Sequence, residues 1–130
     1  MKKVLLVLAS AVFVCSIHAQ ERNLQSLVGK WEAVAAYNAG GGLEVIDSTK
    51  MFIVYGEKKK AIVHYSVDFT KSPVWFNFTI KDSTETLNLK SILHFINDDL
   101  IKWQVFDDEA QYVYFASNTG SDMVYLRRKK

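Results

Sequence analysis

The chain reads as an all-β protein: an eight-stranded antiparallel up-and-down β-barrel, entered through a short helical turn. Three observations predict it. Beyond Lys30, apolar and polar residues alternate with a period of two over most of the chain. The alternating segments are short and separated by turn-forming residues, so hairpin follows hairpin. No helical periodicity lies between them, and parallel strands need such crossovers. A meander of this kind removes its exposed edges by closing on itself.

The first residues stand apart from the fold. Lys2 and Lys3 make a positive start, and residues 4–17 are an apolar run too short to span a membrane. Ala19 precedes Gln20 as the cleavage point. This is the pattern of a secretory signal peptide over residues 1–19, leaving one domain at 20–130. No basic stop-transfer cluster follows, so a retained anchor fits less well. Cys15, the one cysteine, follows Val14 rather than a small residue. It is read as filler that leaves with the leader, lipid anchoring through Cys15 being the lesser alternative. The expected location is periplasmic or secreted. The mature chain has no disulfide and no transmembrane segment, so a packed core must stabilise it.

Lys+Arg is 16 against 14 Asp+Glu. Two of the lysines, Lys2 and Lys3, belong to the leader, so the mature domain is formally neutral. Nothing in that balance points to nucleic acid. The run 127–130, Arg-Arg-Lys-Lys, reads as a solvated tail.

The elements follow in order. Leu24, Leu27 and Val28 are spaced as on a helical turn. Trp31, Ala33, Ala35 and Tyr37 then share one strand face, opposite Lys30, Glu32 and Asn38. Residues 38–42, Asn-Ala-Gly-Gly-Gly, read as a flexible loop, because glycine in a regular element loses much entropy. The second strand is 50–55. The third, 60–69, sets Ala61, Val63, Tyr65, Val67 and Phe69 against His64, Ser66 and Asp68, one face packed and one wet. Pro73 breaks the chain. The fourth, 74–81, sets Phe76, Phe78 and Ile80 against Trp75, Asn77 and Thr79. The last four are 87–96, 100–106, 111–116 and 123–128, joined by turns at 97–99, 107–109 and 118–122. The polar outward positions exclude a barrel that spans an outer membrane.

Three stretches carry a family resemblance. Leu27-Val28-Gly29-Lys30-Trp31-Glu32 is similar to the Gly-X-Trp opening of lipocalins. Residues 65–76, from Tyr65 through Asp68, Lys71 and Pro73 to Phe76, resemble the middle of short bacterial lipocalin-like domains. The ending Val124-Tyr125-Leu126-Arg127-Arg128 is similar to the basic close of their last strand. The resemblance implies that Trp31 plugs the closed end of the barrel, with Gly29 before it. It implies an arginine of the last strand across the ring: Arg128, or failing that Arg127. Burial of such a Trp contributes about 1.5–3 kcal/mol, and a guanidinium over its face about 0.5–2 kcal/mol.

The resemblance also implies that the loop after the first strand lies over the open end. Gly40, Gly41 and Gly42 then serve as a lid loop, or else as a mobile linker. The inward positions Ala33, Ala35, Tyr37, Val63, Tyr65, Val67, Phe76, Phe78, Trp103 and Val105 line a cavity or fill it. Tyr37, Tyr65, Phe76, Phe78 and Trp103 are the expected ligand-binding residues, with two tyrosine hydroxyls for a polar group. An eight-stranded barrel has room for its own side chains or for one small ligand.

Catalytic signals are weak. His64 and His94 are the histidines of the mature chain. His64 neighbours Ser66 and Asp68 on what reads as a solvated face, and a weak surface metal site is the lesser reading. His94, between Ile92 and Ile96, is expected half-buried. No cysteine nucleophile, serine elbow or phosphate loop is present, and the acidic turns lack the calcium-loop pattern. No metal, no cofactor and no enzymatic activity are expected. Asp47-Ser48-Thr49 and Asp82-Ser83-Thr84 resemble an O-glycosylation motif of some exporting bacteria, while Asn77-Phe78-Thr79 falls mid-strand. The expected function is an exported, monomeric binding protein for a small apolar or amphipathic ligand. The alternative is a filled, non-catalytic barrel that binds protein or cell-envelope partners through its surface.

Overall fold

A computed structural model describes residues 21–34, 41–106, 109–116 and 123–130, with Asp82 described only in its backbone. Residues 1–19, the expected signal peptide, and Ala35, Tyr37 and Gly40 lie outside the described residues. A 3-10 turn, Leu24–Leu27, leads into β1 (Gly29–Ala33), β2 (Gly41–Asp47), β3 (Lys50–Tyr55) and β4 (Lys58–Asp68). β5 (Val74–Asp82), β6 (Glu85–Asn97), β7 (Leu100–Phe106) and β8 (Met123–Arg128) follow. Each strand pairs antiparallel with the next, and β8 pairs with β1, so the described strands form a closed up-and-down barrel.

The eight strands are not the eight segments expected. Gly41–Asp47 is a strand, and residues 111–116 are not. Gly41 and Gly42 are therefore ladder residues, Gly42 opposite both Glu32 and Val54, rather than members of a loop. The glycine has a packing reason: a Cβ at Gly42 would lie 2.6 Å from the carbonyl oxygen of Trp31. Close approach of two backbones is a recognised use of glycine inside a strand. β7 pairs directly with β8, from Leu100 opposite Arg127 to Gln104 opposite Met123, which leaves no place for a strand between them.

The alternation in β4 is also broken. Its register shifts between Ile62 and His64. Val63 is the extra residue, and such a bulge moves side chains by one position. Val63 is 47% exposed rather than inward, and Ile62, 7% exposed, takes its place in the core. Tyr65 and Val67 keep their inward face and pack against the core. His94 is exposed, contrary to expectation, because Leu93 and Phe95 on either side of it point inward.

One contiguous core lies inside the barrel, with Trp31, Leu43, Phe76, Leu93, Ile101 and Leu126 almost wholly buried. Each such side chain contributes about 1.5–3 kcal/mol by area. A second, smaller cluster sits outside the barrel. Ile92, Gln104 and Phe106 are buried on outward positions of β6 and β7, beneath the strap of residues 109–116. Phe106 stacks on Tyr112 at 4.2 Å between ring centroids. The Gln104 amide donates to the Ala116 carbonyl at 2.9 Å and accepts from the Ala116 N–H at 2.9 Å.

Two turns are closed by aspartates in the same way. Asp47 accepts from the Thr49 N–H and hydroxyl, and Asp68 from the Thr70 N–H and hydroxyl. These bonds hold both carboxyls below the ordinary value of 3.8, the threonine hydroxyl being the largest cause in each.

Two outcomes are expected. Gln104→Ala strands two backbone groups of Ala116 and should cost about 1–3 kcal/mol in urea unfolding. A depressed folded pKa gives stability present above the unfolded value and lost as pH falls through the folded one. The midpoint of thermal unfolding should therefore drop as pH falls below about 4. The double variant Asp47→Asn, Asp68→Asn should show a shallower drop over that range in calorimetry.

Candidate functional site

The two ends of the barrel are built differently. At the base, the 3-10 turn is capped by Asn23, whose side chain accepts from the Gln25 N–H at 3.0 Å. This sets Leu27, fully buried, beneath Trp31, whose indole donates to the Leu27 carbonyl at 2.8 Å. Trp31 and Arg128 are register partners across the β1–β8 seam. The Arg128 guanidinium lies 4.4 Å from the centre of the indole ring. It donates to the carbonyls of Val28, Ser26 (2.7 Å) and Asp98 (3.0 Å), and pairs with the Asp99 carboxylate at 3.3 Å. Gly29 has φ +137°, and a Cβ there would lie 2.9 Å from an Arg128 nitrogen. Glycine is thus required twice over, by conformation and by space. Phe95 meets Trp31 edge-on at 6.5 Å, with Arg22 4.4 Å over its ring. Gly29, Trp31 and Arg128 pack together as a plug at this end of the barrel.

Above the plug is an aromatic layer. Phe76, Phe78 and Trp103 lie 5.2–6.3 Å apart between ring centroids and are at most 5% exposed. Trp103 donates to the Ser91 hydroxyl at 2.9 Å, and that hydroxyl donates to the Phe76 carbonyl. Tyr65 does not join them with a free hydroxyl: it donates to the Ser48 carbonyl at 2.6 Å, in the β2–β3 turn at the base. Of the expected ligand residues, three pack on one another, Tyr65 is tied down, and Tyr37 is outside the described residues.

The opposite end is lined by smaller groups. One layer beyond Trp31 and Leu43, the inner wall of β1 and β2 is Ala33 and Gly41. A Cβ placed on Gly41 meets no atom within 4 Å. Leu89, Val105 and Val124 are partly buried against the core at this level. Tyr55, opposite Gly41, is 51% exposed, and Leu87, opposite Ile80, is 41% exposed. Lys60, opposite Ile53, reaches toward Tyr55 at 5.8 Å from its ring. Sequence reasoning placed Ala33 and Val105 on the inner wall but missed Gly41, Tyr55, Leu87, Leu89 and Val124. The signal was the alternation of Leu43 and Val45, which identifies the strand and hence the inward side of Gly41.

His64 and His94 are both exposed, on outward positions of β4 and β6. Among the described residues, no group of three His, Cys, Asp or Glu is placed to hold a metal ion. The Thr49 hydroxyl of the first glycosylation-like motif donates to Asp47 at 2.7 Å.

No family model matches the chain, and comparison with curated proteins and with solved structures finds no similar protein. Among the described residues, no helix is long and apolar enough to cross a membrane.

Arg128→Ala should destabilise the fold by at least about 2 kcal/mol, since it removes the cation from Trp31 and leaves three carbonyls unpartnered. Urea titration followed by tryptophan fluorescence measures it. A loss below about 0.5 kcal/mol would mean the plug is ornamental.

Proposed function

We propose that the mature chain is an exported, lipocalin-like binding protein that holds one small apolar or amphipathic molecule at the unplugged end of its barrel. The observation that carries this reading is the Ala33–Gly41 wall. An eight-stranded barrel has little interior beyond what its side chains occupy, so room for a ligand must come from missing side-chain volume. Gly41 faces open space on the inner wall, at the end away from the plug. Leu87, Leu89, Val105 and Val124 supply apolar lining, and Tyr55 supplies a rim hydroxyl. Such a mixture of apolar walls and few polar groups is the usual make-up of a small-molecule site. The Gly-X-Trp opening and basic last strand, similar to those of lipocalins, agree with it.

The close packing of Phe76, Phe78 and Trp103 favours a second reading, a filled barrel that acts through its surface. Native mass spectrometry of protein purified from an exporting host separates the two. A co-purified lipophilic mass is expected. Repeated empty spectra, with no thermal shift across a lipid panel, would favour the filled barrel.

Gly41→Leu tests the same wall directly. It should weaken binding of a neutral apolar fluorophore at least about tenfold by occupying the space, while leaving stability unchanged or raised. Undiminished binding would move the site elsewhere.

A further inference from the structure

We propose that a groove on the outer face of β4, β5 and β6 binds a neutral polyhydroxylated ligand, a saccharide. The groove encloses about 530 Å³, and its lining takes in the outward residues of the three strands together with parts of Tyr65, Phe78 and Leu89 between them. A closed barrel is convex outside, so a concavity there needs a wall. The strap provides one: Glu109 stands at its start, and Gln111 accepts from the Asn77 amide at 2.9 Å, holding the strap against β5.

The floor is set by register. His64, Thr79 and Asn88 form one row across three strands, and Ser66 with Asn77 the next row, beside Lys90. Every outward side chain on this floor carries a hydrogen-bonding group, which disfavours an apolar ligand. Lys90 and Glu109 are opposite in charge, so the lining favours neither an anion nor a cation.

The donors and acceptors are already oriented. The Thr79 hydroxyl donates to the Asn88 carbonyl oxygen at 2.7 Å. That bond fixes the Asn88 amide and turns its NH2 outward as a donor. Asn77 is engaged on both sides, by Gln111 and by the Ser91 N–H at 3.3 Å, and acts as a fixed support. Lys90 and Asn88 offer donors, Glu109 acceptors, and His64 and Ser66 offer both. Vicinal hydroxyls, each a donor and an acceptor at short spacing, match this alternation. The volume lies within the range of small-molecule sites. Each bond replaces one to water, so affinity should be modest.

The test is a 15N-edited NMR titration of the exported protein with glucose, galactose, N-acetylglucosamine and their β-1,4 disaccharides. Glucuronate and glucosamine serve as charged controls. We expect saturable shifts for at least one neutral sugar, confined to Thr79, Asn88, Lys90 and His64. Asn88→Ala and Thr79→Val should each weaken that binding about fivefold or more, with thermal midpoints unchanged. Non-saturable or scattered shifts, binding unaffected by either variant, or tighter binding of a charged control would each overturn the proposal.

Discussion

The contact on which the barrel depends is the Arg128 guanidinium lying over the Trp31 ring. It joins the last strand to the first, across nearly the whole described chain. Closing so long a loop is the costliest pairing in the sheet, and among the described residues the β1–β8 ladder that does it is short, from Trp31 opposite Arg128 to Ala33 opposite Leu126, with one further backbone bond at each end. Arg128 compensates by tying in what lies around the seam. Its donors satisfy carbonyls of the 3-10 turn and of the β6–β7 turn, while its backbone N–H donates to the Asp99 carbonyl at 2.8 Å. The Arg128 head can sit there only because Gly29 presents no side chain.

From that plug follows an asymmetry of the interior. With Trp31, Leu27 and Phe95 packed at the base, side chains close that end of the interior. Moving along the barrel, the inner residues of β1 shrink from Trp31 to Ala33 and those of β2 from Val45 and Leu43 to Gly41. Only where the side chains become small can the interior hold anything but itself. The aromatic layer of Phe76, Phe78 and Trp103 lies between the two regimes and is the floor of any site above it rather than its lining.

The sequence was most legible where one residue type has one physical reason to be where it is. The turn at Asn97 falls in that class, since its residues form tight connections in any context, while Gly29, Trp31 and Arg128 were placed by the resemblance to lipocalins. It was least legible where the deciding partner lies far along the chain. The glycines at 41 and 42 argue for a loop until Trp31 is known to press against one of them. The unbroken alternation through Val63 hides a bulge that only the pairing with β5 reveals. The place of Gly41 on the inner wall stayed hidden because its chief feature is the absence of a side chain, and the groove because Glu109 reaches it from a segment remote in sequence.

The strap shows why a sequence that alternates well can still fail to become a strand. Residues 111–116 carry the aromatic content of a strand, but a closed barrel has no edge for them to join. β7 and β8 already satisfy one another. The strap must therefore lie flat on the outside and take its hydrogen bonds from side chains. Gln104 offers Ala116 the donor and acceptor that a neighbouring backbone would have offered, and Asn77 holds the Gln111 side chain, whose amide in turn donates to the Tyr112 carbonyl. Buried amide side chains on an outer face are otherwise hard to account for, since unpaired they would be costly. Held this way, the strap buries Phe106 and Ile92 and, by the same attachment, carries Glu109 to the edge of the polar groove. The outer cluster and the groove wall are thus two consequences of one constraint, the closure that Arg128 and Trp31 complete.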